Sequence, residues 1–277
     1  MKLFRPRRKA DSHACNLAAP TCHQTKRVLY GGRGEPYRIE GHTLRYLPGT
    51  RPVRLRYWRS PNSVARYDAL QVAWLSNHLT EGDIAVDVGA HHGAYSVLMA
   101  AKCGQTGHVV AIEPDPYSRE LLVRNIALNP AIKGPVVEVC ACSDEIGEAT
   151  LFCRRGNSQS SLARSTAEFS AANSSEEIRV PLVTLDSYLS ERNLSEPRCV
   201  KIDTEGAEIR ILKGAKQVLA SNAEVVCELH PYAWPEFGNT FAELKDLAAA
   251  AGRRIRYLDQ DTEIGDKAEY GTVLLER

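Results

Sequence analysis

The sequence predicts an α/β fold, a doubly wound and mostly parallel sheet with helices on both faces. Three observations carry this. Short apolar, β-branched runs alternate with helix-like segments over most of the chain. The run Ile84-Ala85-Val86-Asp87-Val88 passes through Gly89-Ala90-His91-His92-Gly93 straight into the helical pattern Val97-Leu98-Met99-Ala100-Ala101, a strand, tight turn and helix. With 277 residues and 43% hydrophobic content, the chain can bury one large core plus a modest extension.

In order along the chain, residues 1–36 are polar, basic and glycine-punctuated, which predicts a flexible tail. Residues 37–79 form a lead-in: an alternating segment with Pro48-Gly49, predicted as a hairpin that packs on a sheet edge or covers a pocket, then a helix over 65–79. The main α/β domain is predicted over 80–277. Its strands are expected at 84–88, 108–113, 135–142, 199–203 and 223–230, with later strands at 254–258 and 272–275. Helices are expected at 95–103, 116–128, 184–189, 208–219 and 241–251. Two further strands, 148–153 and 178–183, bracket a Ser-, Asn- and Ala-rich stretch, 156–175, suited to a mobile lid or to simple disorder.

The near-neutral balance, +1 overall, provides no global field toward nucleic acid or an acidic membrane; only Arg5, Arg7, Arg8 and Lys9 cluster locally. No apolar run is long enough to span a bilayer and no secretion signal opens the chain, so a cytoplasmic location is expected. Eight cysteines are too sparse for a disulfide framework, and Cys140, Cys142, Cys199 and Cys227 fall in predicted buried strands, as small core residues. His13, Cys15, Cys22 and His23 imitate a zinc site but lack any Cys-x-x-Cys pair and apolar support.

The ligand follows from the glycine loop. A dinucleotide fingerprint needs a glycine where this chain has His91, because a pyrophosphate must approach the backbone there. A nucleoside without phosphates fits better. Glu113, ending the next strand before Pro114, is placed to accept both ribose hydroxyls, and S-adenosylmethionine meets these requirements. A nicotinamide-dependent reductase and a non-catalytic S-adenosylmethionine-binding protein are the alternatives.

Asp87-Val88-Gly89-Ala90, Glu113-Pro114, Asn125-Ile126-Ala127-Leu128-Asn129, Thr184-Leu185-Asp186, Val200-Lys201-Ile202-Asp203-Thr204-Glu205-Gly206-Ala207-Glu208 and Glu228-Leu229-His230 together resemble the FkbM-type methyltransferases over about residues 68–231. His91-His92-Gly93 replaces that family's usual Asn-x-Gly. The resemblance implies a Rossmann-like class I methyltransferase domain with a seven-stranded sheet, antiparallel at its last strand. It also implies O-methylation of a hydroxyl on a sugar, polyketide or other small metabolite. Carried over by position, Asp87, Gly89 and Glu113 hold the cofactor, while Ser143 and Asp144 lie beside its adenine; His91 and Gly93 of the glycine loop are further cofactor-binding candidates.

The chemistry is expected at the next strand ends. Lys201 and Asp203 share one face of their strand, as do Glu228 and His230 on the neighbour. Lys201 is expected to form a structural pair with a carboxylate, since an unpaired buried charge is costly. His230 is the expected general base, Asp203 the residue that positions the acceptor, and Glu205 a further catalytic candidate. Glu208, opening a helix, is expected to complement the helix dipole. A divalent metal on Asp203, Glu228 and His230 is conceivable, but no metal is predicted.

Overall fold

The computed structural model describes residues 31–39, 41–52, 64–153, 160–163, 176–194, 196–259 and 262–277. The basic cluster and the zinc-like histidines and cysteines near the N-terminus lie outside these residues, as does most of 156–175.

The order is β1 (Glu35–Ile39), β2 (His42–Tyr46), α1 (Val64–His78), β3 (Ile84–Val88), α2 (Ala94–Cys103), β4 (His108–Ile112), α3 (Pro116–Ala127) and β5 (Val136–Glu138). Then come β6 (Ala141–Cys142), β7 (Gly147–Cys153), β8 (Glu176–Val183), α4 (Leu185–Glu191), β9 (Cys199–Ile202), α5 (Glu208–Lys213) and α6 (Lys216–Ala220). The chain ends with β10 (Glu224–Leu229), α7 (Phe241–Ala250), β11 (Arg254–Tyr257), β12 (Thr262–Glu263) and β13 (Gly271–Glu276).

The main sheet runs β12-β11-β13-β10-β9-β3-β4-β5. The strands from β5 to β10 are mutually parallel, and β13 enters antiparallel between β10 and β11. Eight strands are present where the resemblance implied seven; the extra one, β12, is a two-residue edge strand. Period-two alternation divides the core between the two faces. Val86, Val88 and Val200 pack toward the side of α4 to α7, whereas Ala85, Val109 and Cys199 pack with α1 and α2 residues such as Leu75 and Leu98. Asp87 and Lys201, two residues on from Ala85 and Cys199, therefore belong to the α1–α2 face.

Three departures have local causes. The predicted strand 135–142 splits into β5 and β6 in different sheets. Glu138 pairs with Ile112, the last residue of β4, so the chain beyond has no backbone partner there and pairs instead with Leu182–Val183 of β8. The predicted helix 208–219 breaks at Gly214, where a Cβ would stand 2.1 Å from the Ser143 carbonyl oxygen. The carboxylate of Asp186 then caps the second piece by accepting the Gln217 and Val218 N–H groups at 2.8 and 3.2 Å. Finally, the paired strands β1 and β2 reverse between Ile39 and His42, where Gly41 has φ 85°, whereas Pro48-Gly49 makes a separate turn closed by the Thr50 N–H donating to the Leu47 carbonyl at 3.0 Å.

The hairpin is fastened by two buried asparagines of the α3 end. Asn125 accepts the Leu47 N–H at 2.7 Å and donates to the His92 carbonyl at 2.7 Å; Asn129 accepts the Arg45 N–H and donates to the Arg45 carbonyl, both at 2.8 Å. The segment after β2 thereby reaches the carboxyl ends of β3 and β4. All six cysteines among the described residues are free and buried, including Cys140, Cys142, Cys199 and Cys227.

Candidate active site

A cavity of about 760 Å³ opens at the carboxyl ends of β3, β4, β9 and β10, where a parallel sheet of this kind leaves a crevice. Thr50, Arg51 and Pro52 form one rim, so the segment following the hairpin does border a pocket. Ser160, Ser161 and Leu162 form another. Ser161 is tied to the site by donating its hydroxyl to the Glu205 carbonyl at 2.9 Å.

Gly89 makes the turn after β3. Its φ is 79°, and a Cβ there would lie 1.9 Å from the Asp203 carbonyl oxygen, so only glycine lets the β3 and β9 loops meet. His91 takes the left-handed conformation without being glycine, φ 51°, and its N–H donates to Glu113 Oε2 at 2.6 Å. Oε1 of Glu113 accepts the Asp115 N–H at 2.8 Å. Burial pushes the Glu113 carboxyl up to about 7, against the opposing pull of those two N–H groups. The His91 and His92 rings stack at 3.5 Å. Burial lowers both imidazoles, His92 to about 4 with help from His91, so the loop presents neutral rings.

The far wall is a charged cluster on β9, β10 and the loop after β9. Lys201, 1% exposed, lies 3.5 Å from Asp87 Oδ1 and 3.3 Å from Asp203 Oδ2. This is the structural pairing expected for it. Burial alone would lower the Lys201 pKa, but Asp203 and Asp87 overcome this and raise it. His230 sits among four carboxylates: Nδ1 is 3.0 Å from Glu208 Oε1, while Nε2 faces Glu205 at 3.6 Å and Asp203 and Glu228 at 4.0 Å. Burial would depress its pKa, yet Glu208, Glu205 and Asp203 hold it up to about 10. These carboxylates favour the protonated ring, where a near-neutral base was expected of His230. Burial opposes ionisation of Asp203 too, but Lys201 and His230 outweigh it and lower the pKa.

Glu208 opens α5, as expected, but it makes contacts the sequence reading did not anticipate. It is fully buried, accepting from the Gly206 N–H at 2.7 Å, His230 Nδ1 at 3.0 Å and Trp234 Nε1 at 2.8 Å. The positive φ of Glu205 and Gly206, 54° and 116°, curls the loop so that this carboxylate closes it. A Glu two residues after a glycine at a helix start is the signal available in sequence, but its partners lie on another strand.

Of the other predicted site residues, Gly89, His91, Glu113, Asp203, Glu205 and His230 all line the cavity. Asp87, Gly93, Ser143 and Asp144 do not. Asp87 is enclosed beneath the loop, accepting from the Ser96 hydroxyl at 2.6 Å. Gly93, φ 74°, leaves the room that Leu122 of α3 fills. Asp144 is held by Arg210 Nε at 2.7 Å, and the cavity wall nearby is formed by Cys140, Ala141 and Cys142 instead. Tyr232, which donates to Glu205, and Tyr270, which donates to Glu228, join the lining without having been anticipated.

The sequence pattern described as the methyltransferase FkbM domain matches residues 87–255, spanning both walls of this cavity. The chain belongs to the FkbM methyltransferase family. Family relatives include methyltransferase sdnD of Sordaria araneosa, 28% identical over 164 residues, which are 50% of this chain and 63% of that one. The hexuronic acid methyltransferase AglP of Haloferax volcanii is 25% identical over 183 residues, 62% of this chain and 66% of its own. The 31-O-demethyl-FK506 methyltransferase FkbM of Streptomyces tacrolimicus is 28% identical over 205 residues, 65% of this chain and 72% of its own. The first two alignments thus cover slightly less than two thirds of the relatives' length. Among the described residues no helix is long and apolar enough to cross a membrane.

Proposed function

We propose that the protein is an S-adenosylmethionine-dependent O-methyltransferase acting on a hydroxyl of a sugar, polyketide or similar small molecule. The observation that carries this is the pairing, within one cavity, of the Gly89 turn and Glu113 on one side with Asp203, Glu205 and His230 on the other. The acceptor class follows the hexuronic acid and FK506-type substrates in the names of two relatives.

The residues present suit the cofactor. Glu113 keeps unshared lone pairs beside the cavity for the ribose hydroxyls, and Gly89 leaves its turn open. Pro114, Ala141 and Leu151 supply apolar wall for an adenine. His91 and His92 occupy the space a pyrophosphate would need, which counts against a nicotinamide dinucleotide. Bound S-adenosylmethionine supplies a methyl group on a sulfonium, an electrophile whose leaving group is a neutral thioether.

The chain's own part is then alignment and removal of one proton. Asp203, at the end of the central strand β9, accepts the hydrogen bond that orients the acceptor hydroxyl. Glu205, on the cavity wall and fixed by Tyr232, receives the proton. His230 faces both carboxylates and sets their positions, itself anchored by Glu208.

Methyl-labelled S-adenosylmethionine incubated with sugar and polyketide acceptors, read by mass spectrometry, tests this reading. A labelled ether product is expected, and Asp203→Asn and Glu205→Gln should each slow its formation by about a hundredfold to ten-thousandfold with cofactor affinity nearly unchanged. Binding of NAD but not of S-adenosylmethionine in calorimetry would overturn it.

A further inference from the structure

We infer that Asp203, Glu228 and His230 form a divalent-cation site in the wall of the cavity, with Glu208 as the outer carboxylate that aims the imidazole. One ligand atom from each of the three lies within 4.8 Å of the others; donors on the about 2.0–2.2 Å bonds of magnesium, manganese or zinc stand about 3–3.5 Å apart, so small side-chain movements complete the set. Two independent features point to a cation. The first is His230 itself, only 2% exposed, whose Nε2 has no hydrogen-bond partner among the described residues although it points at the carboxylates. The distances, 3.6 to 4.0 Å, exceed hydrogen-bond length but leave room for an ion between the groups.

The second is the way the ligands are held. The Nδ1 side of His230 is bound by Glu208, so Nε2 is directed inward; metal-ligating histidines are oriented in this carboxylate-backed manner, and a cation bound there displaces the Nε2 proton to solvent. Glu228 is braced by Gln71 and Tyr270, and Asp203 by Lys201, which contacts Oδ2 and leaves Oδ1 toward the imidazole. Charge argues in the same direction. Asp203, Glu205, Glu208 and Glu228 gather around this histidine beside a single lysine, acidic groups whose ionised forms a bound cation favours. The oxygen-rich ligand set favours magnesium or manganese.

Resting on the methyl-transfer reading, the cation's role is to hold the acceptor's hydroxyl oxygen in an open coordination position and acidify it. The proton passes to Glu205, the oxygen forms the new bond to the methyl carbon, and the electrons of the broken carbon–sulfur bond stay on sulfur.

The test is titration of the full chain, stripped with chelator, with manganese chloride, following loss of the free-ion signal by electron paramagnetic resonance. One saturable site is expected in the wild type and in Glu205→Gln. Asp203→Asn and Glu228→Gln, checked for folding by circular dichroism, should each weaken it at least tenfold. No saturable binding in the wild type, or equal binding in both ligand variants, overturns the site. The same samples separate this inference from the function it rests on. Methyl transfer by protein that binds no manganese overturns the cation site and leaves the enzyme reading standing. Manganese bound at one site without transfer to any acceptor supports the site and counts against that reading.

Discussion

His230 Nδ1 lies 3.0 Å from Glu208 Oε1, both side chains buried, and this pair joins the end of β10 to the loop after β9. Glu208 is shared with the Trp234 indole and the Gly206 N–H, so one carboxylate holds three segments together. Glu208→Gln should therefore destabilise the fold by about 3 kcal/mol, the scale for breaking a buried ion pair from one side. Urea denaturation would show it as a lower midpoint with an unchanged slope; an unchanged midpoint would mean that the pair has no structural weight.

Glu113 predicts a pH dependence of cofactor affinity. Its carboxyl is held up to about 7 in the free protein, and ribose hydroxyls donate to the ionised form, so binding must lower that pKa and release a proton. Affinity for S-adenosylhomocysteine should rise from pH 6 to pH 8 and level off above, with proton release detectable by calorimetry in buffers of differing ionisation enthalpy. Glu113→Ala should weaken binding by about 1.5–3 kcal/mol and flatten the profile. A flat wild-type profile would remove the assignment.

Gly89→Ala should abolish the site. The left-handed φ alone costs about 1–2 kcal/mol, and the added carbon would overlap the Asp203 carbonyl, 1.9 Å away. Calorimetry should detect no cofactor binding even where circular dichroism shows a folded protein; near wild-type affinity would show that the two loops can separate freely.

Asn125→Ala removes the bonds to Leu47 and His92 and strands both backbone groups. A loss of about 2–4 kcal/mol is expected, with faster hydrogen exchange concentrated in 35–47. Exchange that accelerates evenly over the whole chain would argue against a local fastening role.

The sequence by itself determined the order of strands and helices, the glycine turn after β3, the acid ending β4 and the polar residues closing β9 and β10. Each of these is a local pattern, because strand alternation and a positive φ are properties of a few neighbouring residues. The family resemblance was equally legible, since its motifs are contiguous. What tertiary structure decided is the use to which those residues are put. Asp87 points to Lys201 and Ser96 beneath the loop, Asp144 is taken by Arg210, and Glu208 turns inward to His230. The raised pKa of His230 follows from carboxylates on the loop and helix after β9, and only their convergence produces it. Such roles depend on which side chains meet across strands and loops far apart in sequence, and on how much water their meeting excludes, and neither quantity is encoded in any single stretch of the chain.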